Sequence, residues 1–339
     1  MIDLLVIPLL KIVFVLTGVL ITVMYLVLLE RKVQAWVQSR LGPMRVGPHG
    51  ILQPVADVLK LFVKEDITPV RVDVWVYTAA PIIVLVPALI AFAVIPFGGE
   101  VHLFGKMIQL RITDINVGLL YITAVASIGV YGIILAGWSS NSKYPLLAGL
   151  RSSAQLISYE VAVTLTLVSV ILTAGTLSMV GIVQAQSTSR VWFAFAQPLA
   201  LVIYVIAGLA ETNRSPFDLP EAEQELVGGF HTEYSGMRFA LFFLAEYTNM
   251  IIVSAVATTL FLGGWLRPFP NVAWLGWLDY VPSWIWFTVK TFLVLYLFLW
   301  IRATLPRYRY DQLMRIGWKV LIPLALANIV VTGIVKVLL

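Results

Sequence analysis

Four ionisable residues lie inside or at the end of long apolar segments of this chain. Three are carboxylates, Glu160, Glu211 and Glu246, and the fourth is the amine of Lys290. A charge at the centre of a bilayer costs about 3 kcal/mol, so such residues usually face a bundle interior and mark ion or proton pathways. The pattern favours groups that take up and release protons. The alternative is that they form buried ion pairs, with Lys290 as one partner, that only fix the helix register.

A second concentration of carboxylates lies in the segment 210–238. Between Ala210 and Ser235 a single cation, Arg214, accompanies six acids, which are Glu211, Asp218, Glu221, Glu223, Glu225 and Glu233. Apolar residues are interleaved with these acids, which predicts a loop folded against other parts of the protein. We interpret the loop as a hydrated proton reservoir or relay. A solvated acidic face is the alternative.

Several kinds of chemistry are absent from the sequence. There is no cysteine, which excludes disulfides, Cys-ligated zinc and Cys-bound iron–sulfur clusters. The three histidines, His49, His102 and His231, are scattered along the chain. Neither a nucleophile–base arrangement nor a nucleotide-binding glycine motif is present. We therefore predict no catalytic residue, no metal site and no nucleic-acid partner for this chain.

The composition predicts that these charged groups are held by a helical membrane bundle. Of the 339 residues, 60% are hydrophobic and only 12% are charged, whereas soluble domains carry roughly 25% charged residues. A spanning helix needs about 20 mostly apolar residues. We predict one integral membrane domain over 1–339, of the all-α class, with about eight spans. The predicted spans are 4–29, 74–97, 115–138, 155–177, 191–210, 239–262, 284–303 and 317–338.

The first loop contains one further predicted helix, over 50–64. Its polar residues recur at spacings of three and four, and Pro54 is tolerated in its first turn. The segment is too short and too polar to span a membrane, so it is expected to lie at the interface. An ordinary surface helix packed on the bundle fits the periodicity equally well.

The distribution of cations predicts the orientation in the membrane. The loop after the first span holds seven Lys and Arg residues, whereas those after the second, fourth and sixth spans hold two, one and one. Cytoplasmic loops carry the excess of positive charge. Both termini are therefore predicted on the non-cytoplasmic side. The first apolar run has no basic start and no cleavage site, which indicates a retained helix, and a bacterial plasma membrane is the preferred location.

Two long motifs resemble the signatures of one family. The first runs from Arg40 to Pro48 and is preceded by Glu30-Arg31-Lys32. The second runs from Ala210 to Glu221 and continues through Glu233-Tyr234 to Ala245-Glu246-Tyr247. Over essentially its whole length the chain resembles the quinone-site membrane subunit of respiratory complex I. That family comprises the H subunit of bacterial NADH-quinone oxidoreductase and subunit 1 of mitochondrial NADH dehydrogenase.

The resemblance implies a function that composition does not show. Family members sit at the heel of an L-shaped assembly, where they and hydrophilic neighbours enclose a chamber for a lipid quinone such as ubiquinone. The quinone is a substrate, and this chain is implied to hold no cofactor. NADH, FMN and the iron–sulfur clusters belong to partner subunits. Other implied partners are small membrane subunits, antiporter-like subunits that pump protons, and membrane lipid.

The resemblance also implies roles for individual residues. Those expected to line or border the quinone chamber are Glu30, Arg31, Arg45, Asp57, Lys60 and Phe230. Those expected to form an acidic proton relay are Glu160, Glu211, Glu221, Glu223, Glu225 and Glu246. Their expected ionic partners are Arg214, Asp218, Lys290 and Arg302. Some relatives have a further carboxylate in the third span, where this chain has Ala126-Ser127-Ile128, so a hydroxyl or water is expected to replace it.

Two other classes of function are open to the same residues. One is a membrane anchor of a related hydrogenase-type complex, which would need no quinone. The other is a free-standing proton or cation carrier, suggested by the intramembrane acids alone. The absence of an internal repeat weighs against a carrier.

Overall fold

The described part of the chain is mostly α-helical and contains one small β-hairpin. The computed structural model describes residues 2–103, 106–218, 228–269 and 273–338. Within these ranges the first six helices are α1 (Ile2–Val37), α2 (Gln53–Val63), α3 (Val74–Ala91), α4 (Gly118–Ser139), α5 (Lys143–Ala174) and α6 (Met179–Ser189). The others are α7 (Phe193–Ala196), α8 (Pro198–Glu211), α9 (Gly236–Phe261), α10 (Ser283–Thr304), α11 (Tyr310–Ile316) and α12 (Ile322–Leu338). Strands β1 (Glu100–Leu103) and β2 (Lys106–Gln109) pair antiparallel.

Seven helices of the described part are long and apolar enough to cross a membrane. They are Val6–Val37, Val74–Val94, Gly118–Ser139, Lys143–Ala174, Gly236–Phe261, Ser283–Thr304 and Tyr310–Leu338. The last combines α11 and α12 through a π-helical turn at Gly317–Leu321. These helices confirm the predicted all-α polytopic class. Their exposed surfaces are rich in large apolar side chains, which suits contact with lipid.

The segment predicted as a span over 191–210 is not one continuous helix. It consists of the four-residue helix α7, a break at Gln197, and α8, which begins at Pro198. Proline has no N–H to continue a preceding helix. The side chain of Gln197 is bound instead by α5, where the Ser169 hydroxyl donates to its Oε1 (2.9 Å) and its Nε2 donates to the Ser169 carbonyl (3.0 Å). With 14 residues, α8 is about 21 Å long, shorter than a bilayer core of about 30 Å.

Helix α9 forms the centre of the bundle. It contacts α1, α2, α3, α6, α7, α8 and α10, and its carboxyl-terminal half is buried almost without interruption. The hydroxyls of Ser254, Thr258 and Thr259 each donate to the carbonyl four residues earlier. Polar side chains that are satisfied within their own helix can be buried in this way without a cross-helix partner.

The loops after the first, third, fifth and seventh predicted spans meet at one end of the bundle, which we call the loop end. Asn141 donates to the carbonyl of Arg71 (3.1 Å), and the Tyr308 N–H donates to the carbonyl of Pro216 (3.1 Å). Helix α2 lies at this end, against α1 and α9. At the opposite end, the N–H of Gly99, beside the hairpin, donates to Ser283 Oγ at the start of α10 (3.0 Å).

Candidate functional site

A buried ionic cluster joins four elements near the loop end. Arg214, in the turn after α8, pairs with Glu30 of α1 (Nη1 to Oε1, 3.4 Å) and with Glu246 of α9. Arg302, in the last turn of α10, pairs with the same Glu30. Glu30 and Arg214 are only 5% and 4% exposed. Two carboxylates and two guanidiniums thus offset one another where an isolated charge would be very costly.

Tyr247 completes this cluster from α9. Its hydroxyl donates to the second oxygen of Glu30 (3.0 Å), and the Arg214 guanidinium carbon lies 4.0 Å from its ring centroid. Asn213 positions Arg214, because it adopts a left-handed conformation (φ 53°) immediately after α8 ends. Asn is among the few residues that adopt this conformation readily. A neighbouring pair, Arg307 Nη2 with Asp218 Oδ2 (2.8 Å), lies at the same end of the bundle.

A cavity of about 110 Å³ extends from this cluster into the bundle. Three of the predicted relay acids, Glu160, Glu211 and Glu246, line it. Glu246 therefore belongs both to the ionic cluster and to the cavity wall. The remaining wall is mostly apolar and comes from α3, α4, α5, α8, α9 and described residues between α8 and α9. A cavity with several polar groups and this volume has room for a few water molecules.

Ser127 supplies the hydroxyl that was expected in place of a carboxylate in the third predicted span. Its Oγ lies 3.0 Å from the carbonyl of Thr123 and also donates to the Glu160 carboxylate on α5. The polar connection between α4 and α5 is thus kept without a second acid. Glu221, Glu223 and Glu225, also predicted for the relay, lie outside the described residues.

The residues predicted for the quinone chamber are divided between three places. Arg31 pairs with Asp57 on α2 (Nη1 to Oδ2, 2.6 Å), and Gln53 also donates to this carboxylate (2.9 Å). Arg45 and Lys60 are exposed at the same end. Glu30 lies in the ionic cluster, and Phe230 is buried in the wall of the cavity.

Lys290 is remote from the acids that it was expected to accompany. Its ammonium donates to the carbonyls of Leu262 (2.6 Å), Gly264 (3.0 Å) and Leu266 (2.6 Å), and it lies 4.7 Å from the ring centroid of Trp192. Leu262 follows Glu246 by 16 positions, which is about 24 Å along a helix. The observed partners of Lys290 are therefore carbonyl groups at the opposite end of α9.

The polar residues of the cavity wall that sequence reasoning missed include His231 and Asn213. In the sequence, His231 is one of three scattered histidines, and Asn213 is part of the motif that runs from Ala210 to Glu221. Each lies two positions from an acid of the loop, Asn213 from Glu211 and His231 from Glu233. This closeness in sequence could have marked them as candidates. Within the described ranges, no group of three or more His, Cys, Asp or Glu side chains is arranged to hold a metal ion.

Comparison with known proteins defines the class of this bundle. A family model described as NADH dehydrogenase matches residues 10–333. The chain belongs to this family. It is 55% identical over 336 residues to an H subunit of the NADH-quinone oxidoreductase of Geobacter sulfurreducens, the one numbered 1, covering 96% of this chain and 93% of that protein.

Two other relatives carry the same kind of name. The second H subunit of the NADH-quinone oxidoreductase of Geobacter metallireducens is 55% identical over 337 residues, covering 96% of this chain and 94% of that protein. The corresponding H subunit of Streptomyces avermitilis is 51% identical over 332 residues, covering 97% of this chain and 73% of that protein. The similarity therefore extends over both motifs, the ionic cluster and the cavity.

Proposed function

We propose that this chain is the membrane subunit of a proton-pumping NADH:quinone oxidoreductase that forms part of the quinone chamber and carries an acidic relay. Family membership and the names of the relatives support the assignment to the complex. The chain supplies no complete active site of its own. NADH, FMN and the iron–sulfur clusters are proposed to reside in partner subunits, and the quinone is the substrate at this one.

The position of Glu246 is the observation that carries the relay proposal. Its carboxylate pairs with Arg214, which also pairs with Glu30, and it lines the cavity that Glu160 and Glu211 line. A change of charge near Glu30 therefore changes the field at Arg214 and at Glu246. Reduction of a quinone to a quinol consumes two protons, so it produces such a change. The cavity then offers the path along which protons redistribute among the acids.

The loop end of α1, α2 and α9 is the proposed site of quinone entry. These three helices contact one another, and α2 exposes the apolar side chains of Leu59, Phe62 and Val63. An apolar helical face at the interface suits a substrate with a long lipid tail. The Arg31–Asp57 pair fixes α2 to α1 at this entrance. Arg45 and Lys60 are proposed to border it.

The surroundings of the subunit follow from the same proposal. The loop end would lie on the cytoplasmic side of a bacterial plasma membrane, against the hydrophilic quinone-site and iron–sulfur subunits, with both termini on the other side. Small membrane subunits and antiporter-like subunits would contact the lipid-exposed helices. Asp218 is proposed as an ionic partner of the relay, and Glu221, Glu223 and Glu225 are proposed as further members of the relay itself.

Purification of the intact complex in mild detergent tests this function. We expect an NADH-oxidising iron–sulfur assembly with inhibitor-sensitive quinone reduction. Hydrogen evolution without a quinone requirement would instead favour the hydrogenase-type anchor. In proteoliposomes, Glu211→Gln should leave assembly intact and slow coupled turnover by at least about tenfold, because it removes a group that exchanges protons. Glu100→Gln, at the exposed hairpin, is the matched control. Normal proton pumping in Glu211→Gln would overturn the relay.

A further inference from the structure

His231 occupies a buried position beside the acidic cavity. It ends a 3-10 turn, Gly229–His231, just before α9, and it is only 8% exposed. Its ring makes edge contacts with the rings of Phe230 (5.0 Å between centroids), Phe239 (5.1 Å) and Phe243 (5.8 Å). The imidazole also lines the cavity that Glu160, Glu211 and Glu246 line. Aromatic packing thus fixes the ring at the cavity wall.

Two polar atoms on this wall have no protein partner among the described residues. One is Nδ1 of His231, and the other is Oδ1 of Asn213, whose amide nitrogen donates to Ser152 Oγ (3.2 Å). Leaving a buried acceptor without a hydrogen bond costs about 1–3 kcal/mol. Buried water usually occupies such places, because it satisfies two to four polar groups at once. The cavity has the volume to hold it.

We propose that His231 and Asn213 bind ordered water at the loop end of the cavity, and that this water continues the proton path towards Glu211. This inference rests on the proposed relay function. A water molecule would donate to Nδ1 of His231 or to Oδ1 of Asn213 and accept a hydrogen bond from a protonated acid or from another water. Bridging water of this kind is nearly as favourable as a direct hydrogen bond.

The imidazole acts here as a positioning residue and does not carry the proton. Burial lowers the pKa of His231 to about 4, so the ring is neutral near pH 7 and one ring nitrogen is free to accept. A neutral acceptor holds water without adding a positive charge to the cavity wall. The titratable groups on the cavity wall then remain the three carboxylates.

Two substitutions of His231 separate water binding from packing. Phenylalanine keeps an aromatic ring and removes the acceptor, whereas asparagine keeps an acceptor near Nδ1 and removes the ring. In the intact complex, His231→Phe should slow coupled proton pumping by about tenfold, the effect of about one hydrogen bond. His231→Asn should retain at least about threefold more activity than the phenylalanine variant. The reverse order would show that the residue only packs, and would overturn the inference.

Glu211→Gln is measured in parallel, so that the two proposals can fail separately. If Glu211→Gln is impaired and His231→Phe pumps normally, the relay stands and the role of His231 is wrong. If both pump normally, the relay itself has failed. A cryo-EM map of the unmodified complex that resolves water gives a readout independent of any variant. Density for water within hydrogen-bond distance of Nδ1 is expected, and its absence would overturn the inference.

Discussion

The hydroxyl of Ser127 on α4 donates a hydrogen bond to the carboxylate of Glu160 on α5. This bond joins the two helices beside the cavity that Glu160 lines. A hydrogen bond to a charged group contributes about 1.5–3 kcal/mol. Ser127 therefore helps to hold the Glu160 carboxylate against α4.

Replacing Ser127 by alanine is expected to impair proton coupling. The variant removes the donor to Glu160, so we expect coupled turnover in proteoliposomes to fall by about fivefold with normal assembly. Thr123→Val is the matched control, because Thr123 lies four residues before Ser127 on α4 and lines the cavity, but its hydroxyl donates within α4 to the Leu120 carbonyl (2.9 Å). Equal turnover of the two variants would contradict a specific role for Ser127.

Replacing Glu30 by glutamine is expected to destabilise the whole subunit. The change removes the carboxylate charge that Arg214 and Arg302 share in a buried place. Breaking a buried pair by removing one partner costs about 3–5 kcal/mol. The amount of assembled complex on native gels should fall sharply, while Glu100→Gln at the exposed hairpin should assemble normally. Normal assembly of Glu30→Gln would show that the cluster is not needed for stability.

Close packing of α4 on α5 predicts a second stability effect. A Cβ atom on Gly137 would lie 2.5 Å from the carbonyl oxygen of Pro145, whereas one on Gly129 of the same helix would meet nothing within 4 Å. Gly137→Ala should therefore lower the free energy of unfolding by about 1–3 kcal/mol through overpacking. Thermal unfolding of the purified complex measures this. Gly129→Ala should be neutral or slightly stabilising, and a similar loss in both variants would contradict the packing argument.

The buried histidine predicts a pH-dependent stability of the turn before α9. Burial places the pKa of His231 at about 4 in the folded protein, against 6.5 for an ordinary histidine. An opened segment takes up a proton below pH 6.5, whereas the folded one does not. Stability is therefore full above pH 6.5 and decreases as the pH falls towards 4, with a loss of about 2 kcal/mol at pH 5.

Hydrogen exchange of residues 228–235 in the intact complex measures this loss. After correction for the intrinsic exchange rate, protection should decrease between pH 7.5 and pH 5. The same segment in His231→Asn should show no such decrease, because asparagine does not titrate. A decrease of equal size in the asparagine variant would assign the effect to other groups in the loop.

The sequence predicted the helical class and the identity of the intramembrane acids from simple rules. Charges within apolar runs are conspicuous, so Glu160, Glu211 and Glu246 could be selected from the order of residues alone. The partners in the ion pairs could not be predicted in this way, because they depend on which helices face one another in the bundle. Glu30 pairs with Arg214 and Arg302, and Lys290, which was expected near the acids, binds carbonyl groups instead.

Local geometry explains the remaining differences. The segment 191–210 is mostly apolar and membrane helices tolerate proline, so Pro198 did not lead us to predict a break before α8. The side-chain bonds of Gln197 to α5, which accompany the break, are visible only in the structure. Likewise, the two unpartnered atoms of His231 and Asn213 are visible only when the cavity wall is assembled from separate loops and helices. No periodic pattern in the sequence predicts that His231 and Asn213 lie on the same cavity wall.

The three carbonyl groups held by Lys290 have a mechanical consequence for α9. They fasten the segment that follows α9 to α10 through one buried amino group, so we expect the carboxyl-terminal end of α9 to move little relative to α10. Displacements of a rigid rod about a fixed point grow with distance from it. A tilt of α9 about this attachment therefore displaces its amino-terminal half the most. Glu246 lies in that half, about 24 Å along the helix from Leu262.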